Sequence, residues 1–165
     1  MALKKIVIPA LLMLVFMTGY VLPEEEPYYF LYIPGVKGEV QQPGFEGWIR
    51  CIAFQYLLPG IPSPGKLMHI PPDELNGILT AQDVGKPYAG ISKSPDKVDP
   101  ILAKACSDEL SFPQWEFALC SPDGEPYMRF IFKDVVVSAV TKRDDKQYVT
   151  FKFGKVIWNY KGMKK

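Results

Sequence analysis

The sequence predicts a mainly β protein: a two-sheet β-barrel or sandwich with one flanking α-helix, preceded by an N-terminal signal segment. The chain has 165 residues, 48% of them hydrophobic and 22% charged, which is enough for one buried core and one domain. Its 16 prolines and 13 glycines, beside 10 Phe and 9 Tyr, favour short strands joined by many turns. Several alternating apolar runs support the same class.

The N-terminus differs from the rest of the chain. Lys4 and Lys5 precede an uncharged apolar run from Ile6 to Leu22, and Glu24–Glu26 follow it. This charge order is typical of an export signal whose basic end stays in the cytoplasm. The run contains Pro9 and is shorter than the ~20 residues that span a bilayer comfortably, which favours a signal peptide. Its small residues make no good cleavage site, so an uncleaved signal anchor stays open.

This segment sets the expected boundaries and location. Residues 1–23 are predicted to be a signal peptide or an uncleaved signal anchor, and residues 28–161 the β-barrel domain. The protein is then expected to be exported, and to be either periplasmic or secreted. An uncleaved segment anchors it in the inner membrane, the only membrane contact that we expect. In an oxidising compartment, Cys51, Cys106 and Cys120 permit one intramolecular disulfide at most, or serve as three buried thiols.

The first predicted strands lie in the aromatic part of the chain. Tyr28–Ile33 is an apolar run closed by the turn Pro34–Gly35. Trp48–Tyr56 is the second strand, and both of its alternating sets are largely apolar, so we expect it to be covered on both faces. The glycines of Gly35–Gly47 predict a flexible connection between the two strands.

A proline-rich segment from Leu57 to Pro87 follows. Its six prolines exclude a long helix or a central strand, so it is predicted to be a long loop with one short helical turn near Asp73–Leu75. Long loops in compact domains usually bind something or reach a neighbouring subunit. We therefore treat this loop as a candidate contact element.

One helix is predicted after the loop. Asp99 can cap its free amides, Pro100 suits the first helical position, and the helix is expected to end near Glu109. Its apolar face consists of Ile101, Leu102, Ala105 and Cys106.

The remainder alternates as strands. In order, they are Phe112–Leu119, Tyr127–Phe132, Val135–Val140, Tyr148–Phe153 and Lys155–Tyr160. The breaks between them are turns or bends at Ser121–Gly124, Lys133–Asp134, Thr141–Lys146 and Gly154. The predicted core consists of Phe30, Ile52, Phe54, Ile101, Leu102, Phe117, Ile131, Val137, Phe151 and Trp158.

The sequence carries no pattern that requires a reaction. Lys plus Arg total 19 and Asp plus Glu total 18, which gives no field for nucleic acid. The single histidine, His69, lies in the proline-rich loop, no cysteine has a nucleophile setting, and no zinc or phosphate-binding pattern occurs. We expect a non-enzymatic protein with no cofactor and no metal.

The order of several motifs resembles the haemolysin-coregulated protein (Hcp) family, which forms the tube of bacterial type VI secretion. The resemblance extends from Tyr28 to about Tyr160. It is carried by Gly35–Glu39 with Trp48–Ile49, Asp99–Cys106 with Phe112–Pro113, Phe132–Ser138, and Val149–Val156 continuing to Tyr160.

The resemblance implies a two-sheet barrel with one helix that assembles into hexameric rings, which stack into a tube that carries effectors. Expected partners are further copies of the chain and the spike, sheath or effector proteins. The candidate subunit contacts are Val36, Lys37, Glu39, Phe45, Ile61, Leu67, His69 and Ile70. Two departures from the family, the signal segment and the stiff Leu57–Pro87 loop, motivate an alternative: an exported periplasmic or surface-anchored binding module without tube function.

Overall fold

The structure is a computed structural model that describes residues 28–56, 58, 59, 61, 77–85 and 87–161. The predicted mainly β class is confirmed. The elements are β1 (Tyr28–Tyr32), β2 (Ile49–Cys51), β3 (Ala53–Tyr56), β4 (Gly77–Thr80), α1 (Ala81–Val84), β5 (Tyr88–Lys93), α2 (Asp99–Ser107), β6 (Ser111–Cys120), β7 (Pro126–Arg143), β8 (Lys146–Lys152) and β9 (Lys155–Tyr160).

All nine of these strands join one antiparallel sheet that folds over on itself. The long strand β7 is common to both layers: its first half pairs with β6 and β9, and its second half pairs with β8. One layer continues from β6 to β1 and β2, and from β9 to β4, while the other continues from β8 to β5 and β3. The predicted two-sheet architecture with a flanking helix is therefore confirmed.

β7 bends without ending. The sequence predicted two strands separated at Lys133–Asp134, but the ladder runs through this point. Asp134 adopts φ 54°, and Gly154 donates its N–H to the Lys133 carbonyl at 2.9 Å, so the backbone turns while its hydrogen bonds are kept. Asp134, a short polar residue in the left-handed region, therefore turns the strand without shifting its register against β6. The register against β8 shifts between Val137 and Ala139, where β7 has a bulge.

The predicted strand Trp48–Tyr56 is divided at Ile52. The buried residues are Ile49 and Cys51 before Ile52, and Phe54 and Tyr56 after it. The alternation therefore changes phase at Ile52, where the chain passes from one layer to the other. The Ile52 N–H reaches the Ser92 carbonyl at 2.7 Å, which joins the layers. The expectation of two covered faces is wrong, since Arg50 and Gln55 are exposed on the outer side.

An aromatic core fills the space between the layers. Phe54 stacks on Phe117 with ring centroids 4.3 Å apart, and Phe117 stacks in turn on Phe151. Of the predicted core residues, two are only partly buried, Ile131 and Trp158, and two are exposed, Ile52 (38%) and Ile101 (44%). The predicted core residues that are buried are Phe30, Phe54, Leu102, Phe117, Val137 and Phe151.

Helix α2 begins at Asp99 as predicted, but it ends at Ser107 instead of near Glu109, and Ile101 is not part of its apolar face. Leu102 and Ala105 point into the core, so Ile101, about 100° away around the helix, faces out. Asp99 does not cap the helix, because its carboxylate pairs with Lys93 instead. The helix ends at Ser107 with the Leu110 N–H bonded to the Ala105 carbonyl at 2.9 Å.

The Leu57–Pro87 segment is not only a loop. Gly77–Thr80 forms the edge strand β4 against β9, and Ala81–Val84 forms the one-turn helix α1 behind a capping box made by Thr80 and Asp83. Five of the prolines in the segment lie before β4 and the sixth, Pro87, lies after it, so none interferes with its ladder. The predicted helical turn near Asp73–Leu75 lies outside the described residues. No helix within the described ranges has the length and apolar character needed to cross a membrane.

Candidate self-association surfaces

The loop between β1 and β2 packs on the outer face of the sheet. Phe45 is 3% exposed and lies against Phe30, with ring centroids 4.7 Å apart. Together with Ala118 and Cys120 these rings form a second, smaller core. The segment Gly35–Gly47, predicted to be a flexible connection, is instead held by backbone hydrogen bonds, among them Gly38 N–H to the Gly47 carbonyl at 2.7 Å.

Arg129 fixes this loop to β7. Its guanidinium forms an ion pair with Glu116 at 2.5 Å and lies over the rings of Phe45 (5.7 Å) and Trp48 (5.8 Å). The loop is therefore a rigid projection whose tip carries polar side chains.

The sequence-predicted contact residues fall into three groups. At the loop tip, Lys37 and Glu39 are exposed and Val36 is partly buried, so they are available to a neighbour. Phe45 and Ile61 (8% exposed) are buried within the domain and pack its own cores. The other three, Leu67, His69 and Ile70, lie outside the described residues.

A buried charge cluster escaped the sequence analysis. The Lys93 side chain is fully buried, and its Nζ lies 2.8 Å from Asp96 Oδ1 and 2.5 Å from Asp99 Oδ1. It donates hydrogen bonds to Asp99 and to the Ser94 carbonyl, the latter at 2.8 Å. The signal in the sequence was a lysine at the end of an apolar strand with aspartates three and six residues later. The cluster ties the start of α2 to the end of β5.

The three cysteines are free thiols. Burial raises the pKa of Cys51 to about 12, although the nearby Lys93 opposes the shift. Burial likewise raises the pKa of Cys120 to about 12. Both thiols are therefore protonated and unreactive at neutral pH. Within the described part of the chain, no three potential metal ligands come together.

Several strand edges lack a partner among the described residues. β3 pairs only with β5, β4 pairs only with β9, and β2 pairs only with β1. Such edges present backbone donors and acceptors that another chain can pair with. Together with the rigid loop tip, they are the main self-association surfaces that the described residues offer.

These features define a class: a small antiparallel β-barrel with one packed helix, a projecting loop and open strand edges. The model of the family described as "Type VI secretion system effector, Hcp" matches residues 30–160. The chain therefore belongs to the Hcp family, and it is a structural tube protein of type VI secretion and a secreted component of that system. A comparison with curated proteins finds no match.

Solved structures of the family share the fold at low sequence identity. Hcp1 from Salmonella typhimurium is 17% identical, with a TM-score of 0.59 over 82% of this chain and 86% of that one. Hcp1 from E. coli EAEC 042, in a double-mutant form, is 22% identical, with a TM-score of 0.57 over 82% and 90%. Hcp3 from Pseudomonas aeruginosa, described as a secreted protein, is 14% identical, with a TM-score of 0.53 over 82% and 92%.

Proposed function

We propose that the chain forms a hexameric ring, that rings stack into a tube, and that the tube works without catalysis. The observation that carries the proposal is the family match over residues 30–160 on a barrel with open strand edges. The unpaired edges of β3 and β4 gain backbone hydrogen bonds when the barrel meets copies of itself, as in a closed ring.

The contact residues proposed at the loop tip are Val36, Lys37 and Glu39. Two opposite charges two residues apart, on a loop that is fixed by its own small core, suit a defined contact more than a diffuse one. Leu67, His69 and Ile70 remain proposed contacts from the second loop. Spike, sheath or effector proteins are the further proposed partners.

Sedimentation of the purified protein tests the ring. We expect the mass of a hexamer, and a smaller mass for Lys37→Glu at the same concentration. Lys142→Glu, which makes the same charge change at an exposed position of β7, is the matched control and should leave the mass unchanged. A strictly monomeric protein at high concentration contradicts the ring and favours an exported binding module without tube function.

We further propose that residues 1–23 act as a cleaved signal peptide. The support is the order of charges around the apolar run Ile6–Leu22.

A further inference from the structure

A cavity of about 620 Å³ lies between the loop that joins β1 to β2 and the segment Ser94–Asp96. Its floor is the outer face of β1 and β2, and its two walls are the segments Glu39–Gln42 and Ser94–Asp96. Arg50, Cys51 and Ile52 all line it. Arg50 and Cys51 are consecutive residues of β2 and point to opposite faces, so a cavity lined by both reaches the edge of the strand. The cavity therefore opens onto the unpaired edge of β2.

Arg50 gives the cavity a fixed cation. Its guanidinium lies 4.7 Å from the centroid of the Tyr28 ring, and it makes no ion pair with any described residue. A guanidinium stacked on an aromatic face keeps the N–H donors at its rim, and these match a carboxylate in a bidentate geometry. Arg50 is exposed, so the donors are open to a partner.

The remaining lining groups narrow the choice of partner. Ile52 is 38% exposed beside Arg50, which offers an apolar contact next to the cation. Asp96 shares the single positive charge of Lys93 with Asp99, and it also accepts the Val98 N–H at 2.8 Å. Glu39 is the one lining carboxylate without an ion pair to a described residue, and it opposes an anionic partner at the far wall.

We propose that this cavity binds an extended peptide segment of another protein that carries a carboxylate next to an apolar side chain. The segment adds to the free edge of β2 through its backbone, places its carboxylate on Arg50 and rests its apolar side chain on Ile52. The inference goes beyond ring formation, because the cavity receives a partner other than a further copy of the chain.

Fluorescence anisotropy with the full chain tests it. The probes are two fluorescein-labelled hexapeptide amides of alternating Val and Thr, one with a single central Glu and its twin with Gln at that place. We expect saturable binding of the Glu peptide, and binding at least tenfold weaker for the Gln twin. Arg50→Gln should also weaken the Glu peptide at least tenfold, and Glu39→Gln should tighten it.

Arg143→Gln is the matched control, since it removes the same charge at the exposed end of β7 and should not alter binding. The proposal is wrong if the two peptides bind equally well, or if neither binds. It is also wrong if Arg143→Gln weakens binding of the Glu peptide as much as Arg50→Gln does. A chain with Glu24, Glu25 and Glu26 all changed to Gln tests for occupation by the protein's own acidic segment. If this variant binds the Glu peptide tenfold more tightly than the parent chain, the protein's own acidic segment occupies the cavity and the proposal is wrong. The hexamer mass is measured separately, so failure here leaves the ring proposal standing.

Discussion

Lys93 places a positive charge in the buried interior of the domain, from which charged side chains are usually excluded. Its ammonium is fully buried, while its partners Asp96 and Asp99 keep 13% and 22% of their side-chain surface exposed. Burying a charge costs free energy that only close partners offset, and removing one partner leaves the others unpaired.

We therefore expect Lys93→Met to lower the free energy of unfolding by roughly 3 kcal/mol, measured by urea denaturation. Lys104→Met is the control: it breaks an exposed pair with Asp108 and should change stability by less than about 0.5 kcal/mol. Equal effects of the two substitutions would mean that the buried cluster contributes no more than a surface pair.

Asp145 occupies a conformation that suits glycine better. The turn between β7 and β8 has two central residues, Asp144 at φ 49° and Asp145 at φ 58°. Hairpin turns of this geometry favour glycine at the second position. Asp145→Gly should raise stability by about 0.5 kcal/mol in thermal unfolding, whereas Lys142→Gly, in the strand before the turn, should lower it. A loss of stability in Asp145→Gly would show that the Asp145 carboxylate stabilises the turn.

The cysteines should differ in reactivity. Cys51 and Cys120 are buried with a pKa of about 12, while Cys106 is partly exposed on α2. Because the thiolate is the reactive form, iodoacetamide at pH 8 should modify Cys106 first in the native protein and all three residues in urea. Peptide mass mapping of the labelled sites decides this. Labelling of Cys51 or Cys120 as fast as Cys106 would contradict the burial of their thiols.

At the scale of elements, the loop over β1 depends on one close approach. A Cβ on Gly38 would lie 2.1 Å from the Trp48 carbonyl oxygen, a backbone atom that cannot move aside. Gly38→Ala should therefore lower the free energy of unfolding by about 2 kcal/mol or more. Gly90→Ala is the matched control, because its added Cβ meets the Val149 carbonyl at an ordinary 3.5 Å. Similar stability of the two variants would show that the loop can separate from the strand at little cost.

The elements also show which features the sequence could predict. Alternation identified β8 and its inward residues Val149 and Phe151, together with Phe153 directly after the strand, since a strand with one buried face has a period of two. The break at Ile52 could not be read in this way, because the apolar residues around it hide the change of face. The sequence predicted Asp99 as a helix cap because it does not show that the Lys93 side chain, six residues earlier, pairs with the Asp99 carboxylate.

Of the contact residues predicted in the first loop, the charged ones are exposed, whereas the aromatic one is buried in the domain. An aromatic residue in a loop can equally lie at a subunit interface or in a core. The loop folds back and buries Phe45 against Phe30. Lys37 and Glu39 stayed exposed because their charges exclude them from that small core.

At the scale of the whole molecule, the signal segment and the barrel make separate predictions. If residues 1–23 are a signal peptide, N-terminal sequencing of the exported protein should give a chain that starts close to Pro23. Removing residues 2–23 should keep the protein in the cytoplasm without changing its mass in sedimentation. Recovery of the intact N-terminus in the membrane fraction would instead identify an anchor.

The 18-residue strand β7 also has a mechanical consequence. It is bonded along its length to β6, β8 and β9, and antiparallel ladder bonds lie perpendicular to the strands. A force along β7, applied to it against its neighbours, shears many of these bonds at once instead of opening them one after another. A subunit built on such a strand therefore resists load along the strand better than load that peels the strand away from the sheet.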